Sequence, residues 1–344
     1  TFSDTVEDDL ARRDFTVNAM AYHPGRGLCD PFGGKKDLRG RVIRCVGEPV
    51  TRFCEDGLRI LRAVRFAATL EFAIAPDTAN AVRDCRALLD NIARERVRIE
   101  WDKLLLGAGA VPVLRAFPEI VGQIFPEVTP CFGFAQNSRY HCFDVWEHTL
   151  AALEYAKADH IVRLALFFHD IGKPAVYRED ACGGHFPAHA KVSVELAQAA
   201  MERLRYDRDT TVRVLALVRE HDIPLPTQEK GVRRLMMRFD DADIARLLEI
   251  QRCDRLAHHP DFRDLPQEWY ALPTMVEKLR AEHACLSLRD LAVNGRDLMA
   301  LGIPAGREMG RILQELLDAV VDGNLENEKK TLLAEAEIRK KEKV

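Results

Sequence analysis

From residue 56 to residue 342 the chain carries helical periodicity almost without a break, and this narrows the fold more than any other feature. Apolar residues recur at three- and four-residue intervals, the pattern of helices that each bury one face. The spacing predicts helices at 56–70, 77–88, 95–107, 109–121, 144–157, 160–172, 190–205, 208–220, 230–238, 241–252, 267–282, 306–321 and 326–342. Only the preceding stretch reads otherwise. Phe15 to Tyr22 is apolar-rich, Pro24-Gly25-Arg26-Gly27 signals a turn, Gly33-Gly34 interrupts the chain, and Arg41 to Val46 alternates as a strand does. The expected fold is therefore mainly α, with a short α/β portion at the start and a helical body after it.

A chain of 344 residues exceeds what one ordinary core organises, and 47% apolar residues suffice for two or three. No run approaches the roughly eighteen apolar residues of a membrane span, so no membrane partner is expected. The nine cysteines are scattered without a CxxC pair, which suits reduced thiols and a cytoplasmic location. The net charge of −4 does not advertise a nucleic-acid binder. RNA binding asks only for one basic face, however, and not for a basic total.

Three segments near the start carry chemistry. Arg12-Arg13-Asp14-Phe15-Thr16-Val17-Asn18 sets two guanidiniums, a carboxylate and an amide at the entry to an apolar stretch. Guanidinium forks suit phosphate oxygens, and a carboxylate accepts from ribose hydroxyls. A charge cluster capping a strand would look the same. Asp30-Pro31-Phe32-Gly33-Gly34-Lys35-Lys36-Asp37-Leu38 offers a backbone able to bend or approach a ligand, or simply a turn. In Glu55-Asp56-Gly57-Leu58-Arg59-Ile60-Leu61-Arg62-Ala63-Val64-Arg65-Phe66, the residues Asp56, Arg59, Arg62 and Arg65 recur every three positions and follow one helical ridge. An acceptor beside donors matches a base edge, and Arg62 and Arg65 would then reach phosphates. A solvated basic stripe behind an acidic first turn is the plainer alternative.

Together these segments resemble, in order and spacing, the class II CCA-adding enzymes and their relatives the bacterial poly(A) polymerases. The family's ribose-binding RRDxxxN matches Arg12 to Asn18, its flexible DxxGGxxDL matches Asp30 to Leu38, and its nucleotide-selecting EDxxRxxRxxRF matches Glu55 to Phe66. The resemblance implies that Asp56 and Arg59 pair with an incoming cytosine or adenine, and that Arg13, Arg62 and Arg65, with Asp14 and Asn18 of the ribose motif, serve nucleotide binding. It implies a tRNA nucleotidyltransferase that adds CCA from CTP and ATP using Mg²⁺. Enzymes adding only CC or only A, and poly(A) polymerases, share the same three motifs. The family's catalytic DxD and glycine-rich motif stand before RRDxxxN, where this chain has only Thr1 to Ala11 and does not begin with Met. The expectation is an N-terminally truncated chain whose Mg²⁺ ligands belong to the missing head.

Further on, His148, His169-Asp170, His189, His221-Asp222 and Asp254 are distributed over helical segments. Imidazole and carboxylate donors suit a divalent ion. His169 follows Leu166-Phe167-Phe168, where a lone histidine would be a core residue, but an adjacent His-Asp bracketed by other histidines points to a metal. The segment resembles an HD-family metal phosphohydrolase domain. The H…HD…D order falls on His148, His169, Asp170 and Asp254, and His189 with His221 matches the extra pair of binuclear members. That resemblance implies phosphatase or 2′,3′-cyclic phosphodiesterase chemistry with Mn²⁺, Ni²⁺ or Co²⁺. A stand-alone HD phosphohydrolase and a non-catalytic RNA-binding body are the rivals from other classes. The expected organisation is a head remnant at 1–50, a nucleotide-selecting and RNA-binding region at 51–128, an HD domain at 141–258 and a helical tail at 259–344.

Overall fold

The computed structural model describes residues 5–181 and 183–341. Helices dominate, and among the described residues the strands pair only in twos. The chain divides into two compact units. One runs from the N-terminus to Asp222 and includes Glu249–Asp264, and the other comprises Ile223–Leu248 and Leu265–Val344. Residues 223–248 thus cluster with the tail.

The first unit begins with α1 (Val6–Ala11), then β1 (Ala21–His23) and β2 (Gly27–Cys29), which form an antiparallel hairpin across the expected turn. Next come α2 (Gly34–Gly40), β3 (Val42–Ile43), α3 (Pro49–Glu55), α4 (Leu58–Leu70), β4 (Ala73–Ile74), α5 (Pro76–Asp84), α6 (Arg94–Leu105), α7 (Ala110–Ala116) and α8 (Pro118–Ile124). The strand expected over Arg41 to Val46 shrinks to two residues, parallel to β4. Beyond Ile43 the backbone turns to other partners. The Cys45 N–H donates to Thr78 Oγ1 at 3.1 Å, and the Val46 N–H to the Asp14 carbonyl at 3.1 Å. The predicted 109–121 helix is split at Phe117, because Pro118 has no N–H with which to continue the ladder. α2 lies where only a break was expected, and Asp30 is the reason. Its carboxylate accepts from the N–H groups of Gly34 (2.6 Å) and Lys35 (2.9 Å), satisfying two orphan donors of the first turn.

α4 is the spine of this region. Leu58, Ile60, Leu61, Ala63, Val64, Ala67 and Ala68 are buried on it. The helix begins at Leu58 and not at Asp56, because Asp56 is extended and its carboxylate caps the Leu58 N–H at 3.0 Å; Gly57 between them packs so closely on Leu88 that a Cβ there would lie 3.0 Å from the Leu88 carbonyl oxygen. Farther along, Trp101, Phe125, Phe167 and Phe168 form a buried edge-to-face cluster with ring centroids 4.7–5.7 Å apart.

That cluster carries α9 (Val145–Tyr155) and α10 (His160–Phe168), followed by the single turn α11 (Lys173–Val176), the hairpin β5 (Arg178–Asp180) and β6 (Gly183–His185), α12 (His189–Arg203) and α13 (Arg208–Glu220). The second unit holds α14 (Glu229–Arg238), the first half of α15 (Asp241–Leu256), α16 (Gln267–Ala281), α17 (Gly295–Ala300), α18 (Arg307–Val321) and α19 (Lys329–Lys341). Its core includes Leu298, Ile312, Leu316, Leu332 and Ala336. Position 342, the expected end of the last helix, lies outside the described residues. No helix is long and apolar enough to cross a membrane among the described residues.

Candidate functional site

The three charged segments converge around the N-terminal half of α4. Asp14 is nearly buried. Its Oδ1 accepts from the Phe15 N–H (2.9 Å) and from Asn18 Nδ2 (3.2 Å), and its Oδ2 pairs with Arg62 at 2.6 Å. The first and third segments are therefore joined by one ion pair spanning forty-eight positions. The middle segment is tied in as well. Asp37 accepts from Thr16 Oγ1 (2.8 Å) and Arg44 Nε (3.0 Å), and Gly34 sits so close to the Thr16 carbonyl that a Cβ would lie 2.1 Å from its oxygen.

The four residues of the ridge play unequal parts. Asp56 is extended, outside the helix, and its two oxygens accept from the Leu58 N–H and from Arg96, each at 3.0 Å. Arg59 bonds Glu55 at 2.6 Å, the Arg52 carbonyl at 3.0 Å and the Arg12 carbonyl at 3.1 Å. Those three bonds occupy Nη1 fully and Nη2 once, leaving two of the five guanidinium donors without a protein partner among the described residues. The Arg59 hydrogen bond, opposed by partial burial and helped by Arg52, holds Glu55 below its ordinary carboxylate range. Arg62 anchors Asp14 rather than reaching outward. Arg65 is turned into the protein, 2.5 Å from Glu100 and 3.7 Å over the Phe66 ring. Arg13 stays exposed beside Asp9 at 2.9 Å.

The six histidine and aspartate residues of the later segments also meet, although they come from five places in the chain. His148 lies on α9, His169 and Asp170 follow α10, His189 opens α12, His221 ends α13 and Asp254 is on α15. His148 Nε2 is 2.8 Å from Asp254 Oδ1 and 3.5 Å from Asp170 Oδ2, and His169 Nε2 is 3.1 Å from Asp170 Oδ2 and 3.5 Å from Asp254 Oδ1. On the other side of Asp170, its Oδ1 lies 3.2 Å from His189 Nε2 and 3.7 Å from His221 Nε2. Two ligand sets result, His148–His169–Asp170–Asp254 and Asp170–His189–His221, and they share one carboxylate.

Each imidazole is aimed by the same device. Nδ1 of His169, His189 and His221 bonds the carbonyl three residues earlier, at 2.6, 3.1 and 2.7 Å, and Nδ1 of His148 bonds the Ala257 carbonyl at 3.3 Å. At the ends of α10 and α13 these carbonyls have no partner within the helix. With the proton on Nδ1, every Nε2 lone pair faces the centre, the arrangement that a metal-binding histidine needs. His169 Nε2 and Asp170 Oδ1 are buried with no hydrogen-bond partner, and Asp170 Oδ2 has none besides its ion pair with Lys173 Nζ at 2.6 Å. Metal–nitrogen bonds of about 2.05 Å place neighbouring tetrahedral ligands about 3.3 Å apart, and the distances above bracket that value. The donor set and its orphaned atoms fit a divalent ion. Without one, burial opposes a charged His169, but Asp170 and Asp254 pull its pKa up to about 10. Burial likewise opposes an ionised Asp170, yet His169 and Lys173 hold its pKa well below the usual carboxylate range.

Three neighbours gave no signal in the sequence. Lys173 is buried with Nζ 2.6 Å from Asp170 Oδ2 and donates to Gln136 Oε1 at 2.8 Å. His141 and His258 stand beside His148, with ring centroids 4.9 and 5.6 Å away. Only the one-turn spacing from Asp254 to His258 was available as a clue.

Comparison with known proteins decides the family. Residues 1–44 match the family described as "Poly A polymerase head domain", 71–131 the "Probable RNA and SrmB- binding site of polymerase A", and 186–336 the "tRNA nucleotidyltransferase domain 2 putative". An A-adding tRNA nucleotidyltransferase of Deinococcus radiodurans is 35% identical over 331 residues, which are 91% of this chain and 75% of that protein. A CC-adding tRNA nucleotidyltransferase of Thermus thermophilus is 36% identical over 335 residues, 93% of this chain and 74% of that one. The chain belongs to the bacterial CCA-adding tRNA nucleotidyltransferase family. The fold agrees with that of the Bacillus stearothermophilus CCA-adding enzyme in complex with CTP, at a TM-score of 0.70 and 29% identity over 100% of this chain and 76% of that one. Head-like hairpin and helical body thus have direct counterparts in this nucleotidyltransferase family.

Proposed function

We propose that this protein is a tRNA nucleotidyltransferase that adds nucleotides to tRNA 3′ ends from CTP and ATP, with Asp56 and Arg59 reading the base. The observation that carries the reading is the Asp14–Arg62 pair. It locks the ribose-binding segment against α4, next to a guanidinium with two donors still to give and a carboxylate three residues before it. In this proposal Asp14 and Asn18 orient the ribose, Arg13 meets phosphate, and Arg62 and Arg65 act by holding Asp14 and α4 in place. Mg²⁺ is the ion this chemistry uses. The residues before Arg12 hold no DxD pair for it, so the roles proposed here are base selection and ribose positioning alone. A cytoplasmic location goes with the tRNA substrate.

Addition of all three nucleotides is the first reading. The identity to both a CC-adding and an A-adding relative favours testing single specificities beside it. The test is extension of tRNA ending before CCA, and of tRNA ending in CC, with CTP, ATP or both, by this chain joined in cis to a family head carrying DxD. CCA addition requires both nucleotides on the first substrate. Extension by CTP alone that stops at CC, by ATP alone only on tRNA-CC, or by a long run of A, assigns the narrower activities. No extension of any substrate overturns the proposal.

The histidine cluster supports a second activity in the same chain, metal-dependent hydrolysis of a phosphomonoester or a 2′,3′-cyclic phosphate, with Mn²⁺, Ni²⁺ or Co²⁺ held by His148, His169, Asp170 and Asp254 and by His189 and His221. A bound divalent ion supplies Lewis acidity and lowers the pKa of water. Lys173 sets the charge and position of Asp170.

A further inference from the structure

We infer that Arg96 is a positioning residue for nucleotide choice, holding the Asp56 carboxylate in the orientation that reads the base. The inference rests on the base-reading role proposed for Asp56 and Arg59. Arg96 belongs to none of the three charged segments. It lies in the first turn of α6 and reaches Asp56 across forty positions of sequence.

Asp56 needs such a partner. Its backbone is extended, with φ −152° and ψ 105°, so it stands outside the regular frame of α4. Two hydrogen bonds fix its side chain instead. Oδ1 accepts from the Leu58 N–H and Oδ2 from Arg96 Nη2, each at 3.0 Å. The first bond alone would let the carboxylate tilt about that contact, and the second sets its plane. A carboxylate oxygen can accept two bonds, so Oδ2 keeps a lone pair for a base while Arg96 stays in place. The exocyclic amino groups of cytosine and adenine are donors, whereas O6 of guanine and O4 of uracil are acceptors. A carboxylate held toward the base therefore accepts from the first two and repels the others. One that turns away no longer tells them apart.

α6 is anchored without this contact. Glu100, one turn after Arg96 and on the same face, pairs with Arg65 of α4 at 2.5 Å, and the two helices pack along each other. Two ion pairs of opposite sense thus join α6 to the nucleotide-selecting segment. In the inner pair the side chains of Arg65 and Glu100 are 13% and 8% exposed, and in the outer pair those of Arg96 and Asp56 are 52% and 34% exposed. An exposed pair adds little stability, because water screens it and two long side chains must be ordered. The inner pair holds the helices, and the outer pair acts through the geometry it imposes on Asp56.

Equilibrium dialysis of the whole chain against labelled CTP, ATP, UTP and GTP tests this, with urea denaturation beside it. Wild type is expected to prefer CTP and ATP. Arg96→Ala should cut that preference by about fivefold or more, the lower end of what a good base contact discriminates, with an unchanged urea midpoint. Arg96→Lys should restore most of it, because the bond to Asp56 uses a single N–H. In an Asp56→Ala background, Arg96→Ala should change selectivity no further, as expected of a residue that acts through Asp56. A folded Arg96→Ala chain with wild-type preference overturns the role of Arg96 and leaves base reading standing. Equal weakening of all four nucleotides, repeated in the Asp56→Ala background, also overturns it and assigns Arg96 to phosphate. So does a urea midpoint that falls as far as that of Arg65→Ala, which would make the pair a helix clamp. A wild-type chain with no preference among the four overturns base reading itself, and this inference with it.

Discussion

At the scale of single residues, arginines three positions apart on one helix have diverged in purpose. Arg59 keeps donors free, and Arg65 is sealed against Glu100. The consequences of removing them differ accordingly. With a DxD-bearing head supplied in cis, Arg59→Ala is expected to lose about 1–3 kcal/mol of discrimination for CTP and ATP against UTP and GTP, the worth of a good base contact, while tRNA affinity stays within about twofold. Competition assays with mixed nucleotides measure this. Collapsed tRNA affinity with intact selectivity would assign Arg59 to the RNA backbone instead. Arg65→Ala leaves a buried carboxylate without its partner, and breaking such a pair costs about 3 kcal/mol. Urea denaturation should show that loss for Arg65→Ala and less than half of it for Arg59→Ala. Equal losses would contradict the division of labour. The ridge itself was legible as a three-residue repeat. Which members face outward was not, because their partners Glu100, Asp14 and Arg12 come from distant positions.

At the scale of elements, close packing decides where the ligands stand. Gly172 lies where α12 crosses the end of α10. A Cβ there would sit 2.5 Å from the His189 carbonyl oxygen and 2.6 Å from the Ser193 N–H nitrogen. The Gly172 N–H also donates to Ser193 Oγ at 2.9 Å. Gly172→Ala must therefore push the N-terminus of α12 away and carry His189 with it. Side chains forced into such contacts cost about 1–3 kcal/mol and shift backbone. The expected outcome is a protein whose Asp170–His189–His221 position binds metal at least tenfold more weakly, with the His148–His169–Asp170–Asp254 position changed far less. Isothermal titration with Mn²⁺ separates the two. Equal weakening at both would mean that the contact supports the whole cluster and not one side of it. Helix positions were readable because periodicity is local. The splitting at Pro118 followed from a missing N–H, and the start of α4 at Leu58 from the extended backbone of Asp56, whose carboxylate accepts from the Leu58 N–H; only the first follows from the residue type alone.

At the scale of the molecule, two chemical centres stand on different elements of one unit. The residues proposed to select the nucleotide cluster around α4, and the proposed metal ligands come from α9, α12 and α15 and from the ends of α10 and α13. Sites that share no partners act nearly independently. His169→Ala combined with Asp170→Ala should abolish tight Mn²⁺ binding and any hydrolysis of a 2′,3′-cyclic nucleotide. Nucleotide addition by the head-bearing chain should remain within about threefold of wild type. Parallel assays on one preparation check both. Hydrolysis persisting in the double variant would trace to a contaminant, and loss of nucleotide addition in a folded variant would show that the centres are coupled.

The sequence by itself determined the elements and the kinship. Helical periodicity outlined most of the body, and three motifs at fixed spacing pointed to the family that the comparisons confirm. Both are written in neighbouring residues, where a period or a spacing is visible without the fold. Tertiary structure alone decided the pairings. Asp14 finds Arg62 forty-eight positions away and His148 finds Asp254 at one hundred and six. Helix-end carbonyls meet Nδ1 of His169 and His221 and so point their Nε2 atoms inward, and packing brought the unremarked His141 and His258 to the rim of the cluster. Such contacts depend on which helix faces cross, and burial enforces them because an unpaired charge or imidazole nitrogen inside the protein is costly.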